Sequence, residues 1–370
     1  MKYIVWSVII ITVSLATYYF VHTYQRTTTR EIPQKEIESA RSRLLNAKKV
    51  NADIYAKPQY NLARNYYDSA LKYWKSENER FFLFRKYQKA KSAAHIADSL
   101  ASKAISLTHE ISTDSKTFTA NQIKTIKNNL EILQSANSRF KLPDDLNTGI
   151  RKIAAELPEL EIHFQKENWK KCTTLATSLA QRSTLMITKS REYLTDYFND
   201  YDQWQKWAKN AIKKSRSSKI STIVVDKTAG ECVVYQSGKK IATYKAELGQ
   251  NWTGTKRFEG DKSTPEGNYT ITLKKQGPST KYYKALKINY PNEEDKTRFE
   301  TLKSDGHIDQ KKRIGGMIEI HGDGGKGYHW TDGCIALTNK DMDHLYSMAS
   351  VNTPVVIVGS LKPLKEIITF

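Results

Sequence analysis

Glycine is almost absent from the first 217 residues of this sequence. Gly149 is the only one of the 17 glycines before residue 218, and the other 16 fall in the last 153 residues. Glycine serves turns, close backbone approaches and positive φ angles, none of which a helix interior needs. The scarcity therefore argues against a turn-rich architecture in the first part of the chain and places a domain boundary near residue 218.

Cysteine is also scarce. The three cysteines, Cys172, Cys232 and Cys334, are widely spaced, so they form neither a disulfide framework nor a CxxC metal pattern. Cys172 falls on a stripe of small residues in a helical pattern, and Cys232 falls in a predicted strand. Both are expected to be buried core residues, which leaves Cys334 to be explained separately.

Acidic residues are outnumbered by basic ones, 39 to 59, which gives a formal net charge of +20. Such a charge suits an anionic partner such as nucleic acid, acidic lipid headgroups or an acidic cell-wall polymer. A lysine-rich solvated surface is the structural alternative.

Charged residues are missing altogether from Tyr3 to Tyr24. As a helix this run would cover roughly the ~30 Å of a bilayer's hydrocarbon core. We predict a single-pass transmembrane signal-anchor over 1–25, with Lys2 before it, although Arg26 and Arg30 after it make the positive-inside signal ambiguous. A signal peptide cleaved near Ala16 is the alternative. Both alternatives place the rest of the chain on the periplasmic or extracytoplasmic side of the membrane. That location argues against nucleic acid as the partner.

Residues 33–215 are predicted to form an all-α region of helical hairpins. Apolar or small residues recur there at steps of three and four, and Pro58, Pro143 and Pro158 interrupt the pattern where helices can begin or end. The region is either a spacer or a docking surface for a wall component or a protein partner.

From residue 219 to 360 the pattern changes to short strands. The stretches "ISTIVVDK", "CVVYQSGKKIATYKAELG", "GNYTITLKK", "YKALKINYP", "GGMIEIHG" and "TPVVIVGS" alternate or run apolar between turn signals. One helix is predicted near the end, capped by Thr338 with Asp341 three residues on. The C-terminal domain is therefore predicted to be mainly β.

His321 and Cys334 stand in the most glycine-rich stretch, "IEIHGDGGKGYHWTDGCIAL". His321 ends a predicted strand and Cys334 opens another, so the chain can double back and bring imidazole and thiol within hydrogen-bond reach. A neighbouring His promotes thiolate formation and can later return the proton. The glycines of the intervening loop predict a mobile lid. Zinc bound by His321, His329 and Cys334, or an inert buried Cys334, are the alternatives.

Several segments, in order, resemble the catalytic domain of the L,D-transpeptidases, the YkuD-like family of cell-wall cysteine enzymes. The first contains Thr264, Pro265, Gly267 and Tyr269. The second contains Tyr290, Pro291, Asn292 and Asp295. The third is "IHG" followed by "TDGCIAL". The resemblance covers 219–359 and leaves the anchor and the helical region outside it.

This resemblance implies a role for each matching residue. Cys334 would be the nucleophile and His321 the general base, with the Gly322 carbonyl orienting the imidazole. Gly333 and the Cys334 amide would form the oxyanion hole, and no cofactor or metal would be needed. Thr331 takes the position of a small hydroxyl residue beside the substrate, and Tyr328, His329 and Trp330 are candidate substrate contacts on the loop.

The implied reaction is acyl transfer on peptidoglycan stem peptides. Cys334 would attack the third residue of a tetrapeptide stem, expel the terminal D-Ala and pass the thioester to an amine. Ala336 stands where many relatives carry Arg, and the interval from His to Cys is compact. Both features resemble the subgroup related to YafK, which includes enzymes that cut wall linkages. An L,D-carboxypeptidase or linkage-cleaving hydrolase is thus one alternative, and a catalytically idle wall-binding scaffold is another.

Overall fold

The computed structural model describes residues 2–28, 32–81, 84–218 and 220–370. Arg30 and Lys219 lie outside this part of the chain, and the side chains of Lys2, Tyr24 and Arg26 are likewise not described. The chain forms two compact units. One comprises Met1–Asn121 with His163–Thr173, and the other comprises Gln122–Ile162 with Thr174–Phe370.

The first helix, α1 (Lys2–Thr28), contains the predicted apolar run. Its stretch Tyr3–His22 is long and apolar enough to cross a membrane, with a mean hydropathy of 2.0. None of that stretch is buried inside the protein. By length and composition α1 therefore fits either a membrane anchor or a signal sequence.

The first unit continues as a helical hairpin. Its helices are α2 (Gln34–Lys49), the short α3 (Ala52–Tyr55), α4 (Lys57–Asn78) and the first part of α5 (Gln88–Arg139). Buried alanines on these helices, including Ala40, Ala70 and Ala94, form the contact. Small side chains let helix backbones approach closely, as the alanine stripes predict. Cys172 is fully buried, as expected.

The remaining helices are α6 (Asp144–Gln165), α7 (Trp169–Tyr197) and α8 (Tyr201–Ser218). Pro58 lies in the first turn of α4 and Pro143 directly precedes α6, as predicted. Pro158 contradicts the prediction because it lies inside α6. Five buried side chains, ending with Leu157 and Leu160, continue the same face past the proline. This packing outweighs the backbone hydrogen bond that Pro158 cannot donate.

The second unit contains an eight-stranded sheet. Its strands are β1 (Ser221–Asp226), β2 (Glu231–Gln236), β3 (Lys239–Lys245), β4 (Gly267–Gln276), β5 (Lys284–Ile288), β6 (Glu319–His321), β7 (Ile335–Ala336) and β8 (Pro354–Val358). The order across the sheet is β3-β2-β1-β8-β4-β5-β6-β7. The pairs β1–β8 and β6–β7 are parallel and the others antiparallel.

The sheet curls so that its two outer edges meet. Just after β3, Glu247 pairs with Ala336 of β7, through backbone bonds of 2.8 and 2.7 Å. Gly249 forms a further bridge to Thr331. Inside the curl lies an apolar core that includes the fully buried Cys232. The chain just after β3 thus lies directly beside the His321 and Cys334 strands.

Residues 220–370 contain three α-helices besides the strands, where the sequence predicts one. The predicted helix is α10 (Asn339–Met348), and Thr338 caps it by accepting the Asp341 amide. The two unpredicted helices are α9 (Glu293–Ser304) and the short α11 (Leu364–Ile367). Asn292 and Asp295 form a capping box at the start of α9. Within that helix only Asp295 and Phe299 are buried, so its hydrophobic periodicity is weak.

Candidate active site

The register of β6 and β7 places His321 and Cys334 on one face of the sheet. Ile320 pairs with Ile335, and His321 pairs with Ala336, in the parallel ladder. Both isoleucines point into the core. Because side chains alternate along a strand, His321 and Cys334 lie together on the other face, two steps apart along neighbouring strands.

His321 is fully buried and held on three sides. Its Nδ1 lies 2.6 Å from the Gly322 carbonyl oxygen, so Nδ1 carries the proton and donates it. The ring of Tyr282 stacks on the imidazole, with centroids 3.6 Å apart, and Trp330 meets it edge-on at 6.0 Å. Burial lowers the pKa of His321. The imidazole is thus neutral near pH 7, and its Nε2 has no hydrogen-bond partner among the described residues.

Cys334 is partly buried at the mouth of a cleft. Its thiol is directed to the Met317 carbonyl, with Sγ 3.6 Å from the oxygen, rather than to His321. The thiol and the imidazole are therefore not hydrogen-bonded to each other in this structure, because the thiol is turned toward Met317. Burial raises the pKa of the Cys334 thiol to about 11. The pair rests as a protonated thiol and a neutral imidazole.

The turn from Thr331 to Cys334 depends on its glycine. Gly333 has a φ of +131°, and a Cβ there would lie 2.7 Å from the Ser263 carbonyl oxygen. The buried Thr331 hydroxyl donates to the Cys334 carbonyl at 2.7 Å and accepts the Gly333 amide at 3.2 Å. The hydroxyl thus fixes the turn that presents the thiol.

Glu247, which no sequence pattern marks, restrains the glycine-rich loop that follows His321. Its carboxylate accepts the amides of Gly325 and Gly327, at 3.1 and 2.6 Å, and the indole N–H of Trp330 at 2.7 Å. These three bonds anchor the loop predicted to be a mobile lid. A carboxylate within a strand-like segment gave no sequence signal, because its partners lie about 80 residues further along the chain.

The three aromatic loop residues have different surroundings. Tyr328 is 62% exposed. His329 points inward, where its Nδ1 accepts the Leu248 amide at 2.9 Å and its ring packs on Trp252. Trp330 lines the cleft beside Cys334. The geometry therefore leaves Tyr328 and Trp330 accessible to a ligand and gives His329 a structural contact.

The cleft beside Cys334 has a volume of about 880 Å³. Its lining includes the charged residues Lys256, Glu259, Lys262, Lys281, Glu319 and Asp332. Several of these are ion-paired, with Lys256 on Asp261 at 2.8 Å and Glu319 on Lys275 at 2.6 Å. The cleft is polar, mixed in charge and large enough for several residues of a peptide.

The other two segments that carry the family resemblance support the site rather than line it. The Tyr269 hydroxyl donates to Asp295 at 3.1 Å and so joins the two segments directly. Thr264 accepts the Gly249 amide at 3.0 Å. Arg298 pairs with the buried Asp295 at 2.6 Å. Their polar groups are thus used inside the protein, where they position the strands around the cleft.

Residues 220–357 match the L,D-transpeptidase catalytic domain family, YkuD. The resemblance predicted from the motifs is thereby confirmed for this part of the chain.

Individual relatives match over part of their length. The chain is 30% identical to "Putative L,D-transpeptidase YafK" of Escherichia coli K12 over 30% of this chain and 36% of that protein. It is 25% identical to "Putative L,D-transpeptidase YqjB" of Bacillus subtilis over 39% of this chain and 75% of that protein. An L,D-transpeptidase structure from Mycobacterium smegmatis is 16% identical, with a TM-score of 0.25, over 37% of this chain and 58% of that one. The chain thus spans about a third of the YafK relative, and the helical region lies outside the family match.

Proposed function

We propose that this chain is an exported, membrane-anchored L,D-transpeptidase that forms a thioester on Cys334 and transfers the acyl group to an amine. One observation carries the proposal. The imidazole of His321 is fixed through Nδ1, its buried Nε2 has no hydrogen-bond partner among the described residues, and the strand register puts His321 on the same face as Cys334. The family match of residues 220–357 supports the peptidoglycan stem peptide as the proposed substrate class.

In the first step Cys334 acts as nucleophile and His321 as general base. The thiol turns from the Met317 carbonyl toward the imidazole, and its proton passes to Nε2 as sulfur attacks the carbonyl carbon of the stem's third residue. The Gly322 carbonyl holds the imidazole in the correct tautomer and stabilises the imidazolium, a role often taken by a carboxylate.

The developing oxyanion is stabilised by main-chain amides of the turn. The Cys334 amide is the leading donor, because the Gly333 amide already bonds the Thr331 hydroxyl at 3.2 Å. Collapse of the tetrahedral intermediate breaks the C–N bond, and the leaving D-Ala amine takes the proton from His321. A thioester on Cys334 remains.

The second step decides between transferase and hydrolase. An acceptor amine gives up a proton to His321 and attacks the thioester. The new amide bond is the cross-link, and the Cys334 thiol is released. Water in place of the amine gives a carboxypeptidase or a linkage-cleaving hydrolase. Neither route needs a cofactor or metal, so we expect a chelator to leave the activity unchanged. Tyr328, Trp330 and Thr331 are the proposed substrate contacts, and His329 supports them from behind.

Mass spectrometry of tetrapeptide muropeptides tests this function. The soluble body, residues 31–370, is compared with Cys334→Ala and with Cys172→Ala, a buried cysteine in the other compact unit. Cross-linked dimers formed with loss of D-Ala indicate a transpeptidase, and loss of D-Ala alone indicates a carboxypeptidase. Cys172→Ala should behave like the parent. Activity that survives in Cys334→Ala would refute the proposal.

A catalytically idle wall-binding scaffold is the alternative of another class. Labelling with a carbapenem distinguishes the enzyme from the scaffold. If the chain is an enzyme, the carbapenem should acylate the parent protein and leave Cys334→Ala unmodified. Equal labelling of both proteins, or of neither, favours the scaffold.

A further inference from the structure

Two phenylalanines stand exposed at the turn between α4 and α5. Phe81 is 60% exposed and Phe84 is 64% exposed, with their ring centroids 6.1 Å apart. Elsewhere the hairpin contacts are made by fully buried alanines such as Ala70 and Ala97. Burying a large aromatic ring is strongly favourable, so two adjacent exposed rings indicate a surface that is covered by something else. Arg80, Phe81, Phe84, Arg85 and Lys86 together form the hairpin tip.

The hairpin tip is a built turn. The Glu77 carboxylate accepts the Lys86 amide at 2.8 Å and pairs with Arg80 at 3.2 Å. Arg85 donates to the Asn78 carbonyl at 2.9 Å. The polar groups at the base of the turn are thus used within the turn, while the two aromatic rings project from it.

The hairpin tip lies at the end of the hairpin where α2 begins. Lys91, just past the tip, pairs with Glu36 in the first turn of α2 at 3.2 Å. Ile37 of α2 and Trp74 near the end of α4 belong to the same apolar cluster. The other end of the hairpin is formed by α3, where Ile54 is exposed. The tip and the start of α2 are therefore neighbours.

The start of α2 is close along the chain to the apolar helix α1. Helix α1 ends at Thr28 and α2 begins at Gln34. The five residues between them give six Cα–Cα steps, which reach at most about 20–22 Å when extended. Ile32, between the two helices, is 57% exposed. A bilayer that holds α1 would thus lie within reach of the hairpin tip.

The charge around the hairpin tip favours an anionic surface. From Glu77 to Lys91 there are five basic residues and two acidic residues, and two of the basic residues, Arg80 and Lys91, are paired with Glu77 and Glu36. The segment keeps a net positive charge. Exposed aromatic rings flanked by Arg and Lys suit the headgroup region, where the rings reach the acyl boundary and the cations meet anionic lipids. We propose that the hairpin tip inserts Phe81 and Phe84 into the headgroup interface of the membrane that holds α1. This second contact would fix how the helical hairpin stands on the bilayer, and it rests on the proposed anchoring of α1.

Depth-dependent quenching in vesicles tests the contact. The full-length chain with Cys334→Ala is reconstituted into phosphatidylcholine–phosphatidylglycerol vesicles, with an NBD fluorophore attached through Phe84→Cys. The matched control carries the label through Ile54→Cys, because Ile54 is 56% exposed and lies at the opposite end of the hairpin. A third sample labels the span through Ala16→Cys. The native Cys172 and Cys232 are fully buried and do not compete for the label.

We expect lipids with a nitroxide near the headgroup to quench the label at position 84 at least threefold more than the label at 54. Replacing Phe81 with Ser should reduce that quenching at least twofold. Equal, weak quenching at 84 and 54 with strong quenching at 16 overturns the proposal and leaves the tip to a protein partner. Weak quenching at 16 overturns it through failure of the anchor. Neither result tests the thioester chemistry, because the muropeptide assay measures that chemistry separately.

Discussion

At the scale of single residues, the resting state of the Cys334–His321 pair has a measurable consequence. Burial raises the pKa of Cys334 to about 11 and lowers that of His321. The thiolate fraction below pH 11 therefore rises about tenfold per pH unit, and so should the rate of alkylation by iodoacetamide between pH 7 and 10. Peptide mass spectrometry measures the rate, with buried Cys172 and Cys232 as internal controls. A rate independent of pH from 6 to 9 would instead indicate a preformed thiolate–imidazolium pair.

Glu247 makes a second prediction at this scale. Glu247→Gln replaces one acceptor oxygen by a donor that faces either the amides of Gly325 and Gly327 or the indole N–H of Trp330, so we expect a loss of about 1–3 kcal/mol in stability. Trp330 should then cover His321 less well. Because burial lowers the pKa of His321, greater solvation should raise that pKa and move the acid limb of the kcat/KM profile to higher pH.

The exposed Glu231 on β2 provides the matched control for Glu247. Glu231→Gln should leave both the stability and the acid limb unchanged. If Glu247→Gln lowers the stability without moving the acid limb, Glu247 supports the loop alone and does not position the base.

At the scale of elements, the strands were predictable and their closure was not. Alternating or continuous apolar residues located β1 to β6 and β8, because these strands bury side chains in the core. The helix α9 was missed because only Asp295 and Phe299 are buried, although its capping box is visible in the sequence. The partner of the glycine loop was missed because Glu247 reaches it only when the two edges of the sheet meet. Local sequence patterns do not predict such a long-range contact.

The turn that presents Cys334 supplies the prediction at this scale. Gly333→Ala should be strained by its φ of +131° and by the Ser263 carbonyl oxygen 2.7 Å from the new Cβ. Gly254→Ala is the control, since Gly254 has a φ of +96° but open space around the added Cβ. Both variants should lose about 1–3 kcal/mol for the backbone conformation. Only Gly333→Ala should lose more stability than this, and only that variant should no longer be acylated by a carbapenem. Equal losses of stability in the two variants would show that the Ser263 carbonyl moves away from the new Cβ.

At the scale of the whole molecule, helices and sheet of the second unit share a buried charge cluster. Lys227 is fully buried, and its Nζ binds Glu266 at 2.7 Å and the Thr264 carbonyl at 3.0 Å. Tyr197 of α7 donates to the same Glu266 carboxylate at 2.8 Å. The cluster thus joins a helix outside the family match to the segment that begins β4. The sheet thereby depends structurally on its contact with α7.

Unfolding of the soluble body in urea, followed by tryptophan fluorescence, measures that dependence. Lys227→Met leaves the Glu266 carboxylate buried without its cation, so the free energy of unfolding should fall by about 3–5 kcal/mol. Tyr197→Phe removes one hydrogen bond and should cost about 1 kcal/mol. Adding Glu266→Gln to Lys227→Met should recover part of the loss, because no uncompensated charge is then buried. The exposed Lys245 on β3 gives the control, Lys245→Met. If Lys227→Met falls within 1 kcal/mol of that control, the cluster does not join the helices to the sheet energetically.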